Sequence, residues 1–192
     1  MVKVGFIVEG DSEKVIIESP QFKSWLSSKG IELITPVLNA AGGGNLLPKN
    51  IEPLIERFTS LNVDHIFVLT DLEQEPDIQT VRNRIENPGL RFIFVAVKAL
   101  EAWYLADTEA MKKWLKVTDF NEEFPENTVD MPWDRLKEIS QQLDKTGPGG
   151  SKVSFAKRMI KHFGFQVSRS AEHLNCDSAK EFIRELESLS TD

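Results

Sequence analysis

Short apolar runs alternate with longer amphipathic stretches through the first half of the chain. Four of the runs are rich in β-branched and aromatic residues and are apolar on both faces, which predicts buried strands. They span residues 2–8, 31–38, 65–69 and 91–97. The stretches between them carry apolar residues at helical spacing, as at Ile51, Ile55 and Phe58. This alternation predicts an α/β fold, in which a parallel sheet of about four strands has helices on both faces.

The second half of the chain has a different texture. Apolar residues recur there at helical spacing, and polar or glycine-rich stretches such as 117–132 and 147–150 separate the segments. The predicted helices cover about residues 108–116, 133–145, 151–163 and 177–189. We therefore predict an α/β core over residues 1–107 and a helical extension over residues 108–192 that packs on it.

The net charge changes the range of functions that the fold allows. The formal net charge is −7, whereas proteins that neutralise nucleic-acid phosphates usually carry a basic excess. Strong unassisted DNA binding is therefore disfavoured. However, clustered metal ligands also make a nuclease or phosphotransferase acidic, and bound divalent ions reverse the local sign. The charge weakens a nucleic-acid hypothesis without removing it.

Two further features concern the compartment of the protein. No apolar run approaches the roughly 20 residues that cross a bilayer, and the first strand leads directly into acidic residues without a signal-peptide cleavage region. The one cysteine, Cys176, cannot form an internal disulfide. These features predict a cytoplasmic protein without a membrane segment.

Acidic residues follow three of the four predicted strands. Glu9 follows the first strand, Asp71 and Glu73 follow the third, and Glu101 follows the fourth. The carboxyl ends of parallel strands meet at one edge of the sheet, where α/β proteins bind their ligands. Carboxylates gathered there repel one another unless a cation neutralises them, so the pattern predicts a hard divalent ion with oxygen ligands.

Most of the polar residues at these strand ends also have a simpler structural explanation. Asp71 and Glu73 are equally typical of residues that cap the following helix or face water. Asp11 and Ser12 are natural helix N-caps, and Glu13 suits the positive end of a helix. Glu101 fits either a second metal position or a buried acid with a structural partner. A ligand or acid–base role is favoured for Glu9, because an unpartnered charge at the tip of a buried strand is costly.

Two motifs at these acids resemble those of the Toprim superfamily. Residues 8–13 are similar to the first Toprim motif, in which an apolar strand leads into Glu-Gly and a nearby second Glu. Residues 69–73 are similar to the second motif, in which a strand ends in Asp-x-Asp. Residues 99–107 resemble the Leu-Glu-Ala-Trp-Phe-Leu-x-Asp signature of the DUF4276 family, which is Toprim-like. Weaker matches at 152–156 and 178–182 extend the resemblance over nearly the whole chain.

The resemblance implies a function and roles for the acids. It implies Mg²⁺-dependent phosphodiester cleavage of DNA or RNA, with Mn²⁺ as a substitute, in phage defence or a mobile element and often beside a partner ATPase. Glu9 is implied to act as acid–base group or metal ligand, and Asp71 and Glu73 as Mg²⁺ ligands. The second acid of Asp-x-Asp is a glutamate here, which alters the ligand geometry and weakens the catalytic inference.

Four basic residues are candidates for contact with a phosphodiester substrate. Lys152 follows a glycine-rich loop, and an ammonium that stabilises the developing phosphoryl charge would complete the mechanism. Lys98 ends the fourth strand and suits either a phosphate or a neighbouring acid. Arg82 and Lys157 are candidates for the nucleic-acid backbone, although a solvated charged face is the more common explanation of such residues.

Two other functions remain open from the sequence. A phospho-acceptor receiver domain also has acids after strand one, an Asp after strand three and a Lys after a later strand, which would be Asp71 and Lys98 here. Such a domain does not require Glu73. A degenerate Toprim scaffold that binds a partner without catalysis is the third possibility. The sequence leaves the oligomeric state open.

Overall fold

The computed structural model describes residues 1–189, and its centre is a parallel sheet of five strands. The strands are β1 Val2–Val8, β2 Ile31–Leu33, β3 Leu38–Asn39, β4 His65–Asp71 and β5 Phe92–Ala96. Their order is β2-β1-β4-β5, and β3 pairs with β1 further along the edge that β2 occupies. The prediction of an α/β fold with a parallel sheet and C-terminal helices is confirmed.

Ten α-helices connect and flank these strands within residues 1–189. They are α1 Asp11–Ile17, α2 Pro20–Ser28, α3 Pro48–Ser60, α4 Ile78–Ile85, α5 Glu101–Ala106, α6 Thr108–Leu115, α7 Pro132–Gln142, α8 Lys152–Phe163, α9 Val167–Glu172 and α10 Asp177–Ser188. Gly10 occupies the N-cap position of α1, so neither Asp11 nor Ser12 caps this helix. Ser19 caps α2, and Pro20 begins it, where its missing N–H costs nothing.

The predicted strand 31–38 is divided in the structure. Pro36 lies between β2 and β3, and it has no N–H to donate to a ladder. The next residue, Val37, donates its N–H to the Glu18 carboxylate instead of to a strand. Pairing with β1 resumes at Leu38 and Asn39, opposite Ile7 and Val8. The sheet therefore has five strands where about four were predicted.

Each face of the sheet is covered by its own hydrophobic cluster. On one face Phe6, Phe67 and Phe94 from three adjacent strands lie within 6.4 Å of one another. The opposite face packs against α3, where the ring of Phe58 lies over Gly5. A Cβ atom at position 5 would lie 2.8 Å from that ring, so only glycine allows this approach.

The C-terminal helices contribute to the same core as the sheet. Phe182 of α10 lies 4.7 Å from Phe94 and 5.2 Å from Trp103, measured between ring centroids. The Trp103 indole N–H also donates to the Ser178 hydroxyl over 2.8 Å. The helices after residue 107 thus share one hydrophobic cluster with the strands, while the predicted domain division at residue 107 stays a prediction.

The strand order determines where a ligand site forms. From β1 the chain first moves to β2 and β3 on one side, and later returns to β4 on the other side. The carboxyl ends of β1 and β4 therefore form the topological switch point of the sheet, where crossover connections leave in opposite directions and open a crevice. Glu9 and Asp71 lie at these two strand ends.

Candidate functional site

Glu9 and Asp71 are brought together at the switch point. The parallel register pairs Val8 with Leu69, and the Glu9 N–H continues the ladder by donating to the Leu69 carbonyl over 3.1 Å. The Glu9 carboxylate accepts hydrogen bonds from the Thr70 hydroxyl and, over 3.4 Å, from the Asp71 N–H. Asp71 in turn accepts the Leu100 N–H at Oδ1 over 2.8 Å. Both carboxylates are thus fixed by backbone groups at the sheet edge.

Glu73 lies on the same cavity as Glu9 and Asp71. The cavity has a volume of about 310 Å³, and its lining includes these three acids together with Glu75 and Arg84. Glu73 has a φ of 52°, and its N–H donates to the Lys98 carbonyl over 2.7 Å. Glu73 therefore lies in a turn after β4, and its direction does not follow from the alternation of side chains along a strand. Its shared cavity with Asp71 results from the turn.

Arg84 supplies the positive charge of this cavity. Its guanidinium forms an ion pair with Glu75, and both side chains line the cavity. Gly43 and Gly44 complete the wall beside Glu9, and a Cβ atom at position 43 would lie 3.2 Å from the Glu9 Oε1. A side chain at position 43 would therefore crowd the Glu9 carboxylate, and glycine leaves room for it.

A second group of acids lies behind the cavity and includes Asp71. Burial, together with the nearby charges of Glu101 and Glu9, raises the pKa of Glu13 to about 7. Burial and the charges of Glu13 and Glu101 raise the pKa of Asp71 well above its usual range. Three elements contribute: β4 provides Asp71, α1 provides Glu13 and α5 provides Glu101. The arrangement concentrates more negative charge than the surrounding protein compensates.

Lys152 is the cation of this second group. Its ammonium lies 3.1 Å from the carboxylate of buried Glu101. Burial lowers the pKa of Lys152, but the charge and hydrogen bond of Glu101, with contributions from Asp71 and Glu13, raise it above its ordinary value. Lys152 therefore lies at the acidic group, while its catalytic role stays a prediction. Glu101 has a structural partner that competes with a role as second metal ligand.

The hydroxyl of Tyr104 borders the same acids. It is buried and has no hydrogen-bond partner within residues 1–189, and its ring packs edge-on between Phe155 and Phe165. Burial and the charges of Glu101, Glu13 and Asp71 raise the pKa of Tyr104. The phenol therefore stays protonated, and it adds a neutral polar group to the acidic interior.

The carboxylates of Glu9, Asp71 and Glu73 are the kind of ligand that a hard divalent ion binds. Oxygen ligands and uncompensated negative charge are what Mg²⁺ requires, and the raised pKa of Asp71 marks a place where a cation would be stabilising. Within residues 1–189, however, no three Asp, Glu, His or Cys side chains are already arranged as ligands of one ion. Binding through Glu9, Asp71 and Glu73 therefore requires rotation of at least one side chain, and the Mg²⁺ site stays a prediction.

Three predicted substrate contacts lie elsewhere. The Lys98 ammonium donates to the carbonyls of Thr128, Val129 and Asp130. Arg82 forms an ion pair with Glu181 and also donates to the Ile93 carbonyl on the outer edge of β5. Lys157 is exposed on α8. The structure does not bring any of these three side chains to the cavity of Glu9 and Asp71.

Sequence reasoning missed several residues of the site, and Glu13 is the most important of them. It lies in the first turn of α1, four residues after Glu9, and the sequence alone favoured only a role at the positive end of this helix. Arg84 lies near the predicted site edge and was a candidate for nucleic-acid contact, whereas Glu75 and its ion pair with Arg84 gave no signal. Their partnership depends on how α4 packs beside β4, which periodicity does not reveal.

The raised pKa of Glu13 predicts a pH-dependent stability. A carboxyl group with a higher pKa in the folded state stabilises below its unfolded value of 4.5, and this stability is lost as the pH rises through about 7. In metal-free buffer we expect Glu13→Gln to stabilise the protein at pH 8 by about 2–3 kcal/mol, with little effect at pH 4. Urea unfolding across this pH range measures the difference.

The matched control for Glu13 is Glu109→Gln, because Glu109 is an exposed acid in the first turn of α6. We expect its stability curve to follow that of the unchanged protein at every pH. Parallel curves for Glu13→Gln and the unchanged protein would contradict the raised pKa.

Comparison with known proteins gives one match. A family model described as "Domain of unknown function (DUF4276)" matches residues 8–187. No curated protein and no solved structure matches the chain significantly. Within residues 1–189, no helix has both the length and the apolar character that a membrane span requires.

Proposed function

The chain belongs to the DUF4276 family, and we propose that it is a Mg²⁺-dependent, phosphodiester-cleaving protein of the Toprim type. The observation that carries this proposal is the convergence of Glu9, Asp71 and Glu73 on one cavity at the switch point of the sheet. This is the position at which parallel α/β sheets bind ligands.

The proposed roles follow from the contacts of each side chain. Glu9, Asp71 and Glu73 would hold the ion, which when bound activates water and takes up charge on the leaving oxygen. The Thr70 hydroxyl donates to Glu9, and its carboxylate would also accept or return a proton at the cavity. Lys152, fixed by Glu101, provides a positive charge in the field of Asp71.

Nucleic acid is the proposed substrate, and the charge distribution limits how it binds. The chain carries a net charge of −7, and Arg82, Arg84 and Lys98 are all engaged within the protein. A long basic track for a duplex is therefore not formed by these residues. We propose that a short or single-stranded segment enters the cavity, in a cytoplasmic phage-defence or mobile-element system that includes a partner ATPase.

The receiver-like alternative has less support. A receiver uses a lysine to contact the phosphorylated Asp, which would require Lys98 to reach Asp71. The Lys98 ammonium instead donates to three backbone carbonyls at residues 128–130. This contact favours a structural role for Lys98.

The proposed activity is tested with purified protein and labelled oligonucleotides. Single-stranded and double-stranded DNA and RNA are incubated with Mg²⁺, Mn²⁺ or EDTA, and the products are separated by size. We expect cleavage with either ion and none with EDTA. Equal cleavage in EDTA would contradict the metal dependence. Absence of cleavage from every substrate, with stable phosphorylation from a small phosphodonor, would favour the receiver-like alternative.

A further inference from the structure

The loop between α6 and α7 carries much of the negative charge of the chain. Residues 117–131, which we call the acidic loop, contain five acids and no Lys or Arg. The acids are Asp119, Glu122, Glu123, Glu126 and Asp130. Among them Glu122 pairs with Arg135, and Glu126 caps the N-terminus of α10. Within residues 1–189, the carboxylates of Asp119, Glu123 and Asp130 have no cationic partner.

The acidic loop also exposes large apolar side chains. Val129 is 98% exposed and Phe124 is 48% exposed, and both line a cavity of about 430 Å³. Its charged lining residues are Asp130, Glu122, Glu138 and Arg135, which pairs with both glutamates. On the other side of the loop, Leu174 is 85% exposed beside Glu123, in a cavity of about 440 Å³. Isolated exposed apolar residues are common, but here three of them line cavities on which the acidic loop borders.

The acidic loop is held in place by contacts at several points. Glu126 accepts the N–H groups of Asp177 and Ser178, and the Asn175 amide donates to the Glu123 carbonyl. The Lys98 ammonium binds the carbonyls of residues 128–130. A surface that is ordered in advance loses little conformational entropy on binding, so these contacts favour its use in recognition.

We propose that the acidic loop, with Phe124, Val129 and Leu174, is a docking surface for a basic amphipathic segment of another protein. Charge complementarity decides the occupant: unpaired carboxylates attract Lys and Arg, and the exposed apolar side chains require apolar partners. Nucleic acid is negatively charged, so the carboxylates of the loop would repel it. Since Lys98 also accepts the Glu73 N–H at its carbonyl, the surface is joined to the sheet edge that carries the cavity.

A synthetic peptide tests this surface without any requirement for catalysis. The probe is a fluorescein-labelled helix of about 18 residues, with Leu along one face and Lys along the other. We expect saturable binding to the full chain by fluorescence anisotropy, and Phe124→Ser with Val129→Ser should weaken it about tenfold. Glu123→Gln with Asp130→Asn should weaken it and reduce its salt dependence.

The controls distinguish binding at this surface from nonspecific binding of the peptide. The exposed fraction of Leu61 is 47%, similar to the 48% of Phe124, but Leu61 lies at the end of α3. We therefore expect Leu61→Ser to leave the affinity within about twofold. A peptide with the same residues in scrambled order and one with Glu for Lys should bind at least about tenfold more weakly.

Three results would overturn the proposal. They are the absence of saturable binding, equal binding of the scrambled peptide, and an equal loss of affinity from Leu61→Ser. Sedimentation of the unchanged chain and of Val129→Ser adds a fourth. A dimer that Val129→Ser converts to a monomer would assign the surface to self-association. Since none of these measurements involves Mg²⁺ or cleavage, they leave the proposed enzymatic function untouched.

Discussion

Asp71→Asn and Glu9→Gln should each lower the rate of Mg²⁺-dependent cleavage by about 10²–10³-fold, because each removes a negative charge at the proposed metal site. The shape of each side chain is kept. An amide oxygen can still accept the Leu100 N–H at position 71 and the Thr70 hydroxyl at position 9. The loss should therefore appear in the rate and in the affinity for the ion, while the fold is retained. Initial rates on a labelled oligonucleotide measure it.

Asp64→Asn is the matched control for these variants. Asp64 flanks the opposite end of β4, where its carboxylate accepts the Lys3 N–H over 2.7 Å. It has the same residue type beside the same strand, but it lies away from the switch point. We expect its cleavage rate to stay within about twofold of the unchanged protein. Equal rates for Asp64→Asn, Asp71→Asn and Glu9→Gln would reject the assignment of the site.

Metal binding can be measured independently of cleavage. Calorimetric titration with Mn²⁺ should give weaker binding to Asp71→Asn than to Asp64→Asn. Asp71 lines the cavity with Glu9 and Glu73, and it also lies close to Glu13 and Glu101. Binding that is unchanged by Asp71→Asn would show that an ion uses other residues. Cleavage lost with metal binding intact would instead give Asp71 a role in the reaction without a role as ligand.

Asp107→Ala should destabilise the protein by about 3–5 kcal/mol, because the Arg169 guanidinium would lose the buried carboxylate with which it pairs. Asp107 is fully buried, and its carboxylate accepts two hydrogen bonds from Arg169 at 2.8 Å. It also accepts the N–H groups of Ala110 and Gln166, so it joins α6 to the start of α9. Urea unfolding at pH 7 measures the change in the free energy of unfolding.

The control for this prediction is Glu109→Ala, two residues further along. Glu109 forms an i, i+3 pair with Lys112 at 3.4 Å, and its side chain is largely exposed. Such surface pairs contribute about 0–1 kcal/mol. A loss below about 1 kcal/mol for Asp107→Ala would mean that the Asp107–Arg169 pair contributes no more than a surface pair.

The positions of Glu9 and Asp71 followed from the sequence because both depend on local pattern. Buried parallel strands are continuous apolar runs, so the end of each run identifies the residue that emerges at the sheet edge. Glu9 and Asp71 immediately follow or end such runs, and the structure places them in contact through the Asp71 N–H. The apolar run 31–38 did not identify its strand correctly, because residues on both sides of Pro36 are apolar and the break into β2 and β3 is hidden in the pattern.

The placement of Arg82 shows what local pattern does not contain. Its partner Glu181 is 99 residues away in sequence, on a helix that packs beside β5. A long, flexible cation pairs with whichever acceptor the fold brings within reach. The residue type therefore indicated a phosphate contact, whereas the packing of α4 and α10 gave Arg82 a structural role at the outer edge of the sheet.

From the sequence alone came the α/β class, the C-terminal helices, the strand ends and the acids that they present, because hydrophobic periodicity and turn residues act over a few neighbouring positions. Tertiary structure decided which charges meet. It placed Glu13 behind Asp71, held Lys152 at Glu101, and turned Lys98 toward the acidic loop. These outcomes depend on distances between separate elements, and the strength of a charge interaction depends on that distance and on the burial that packing creates.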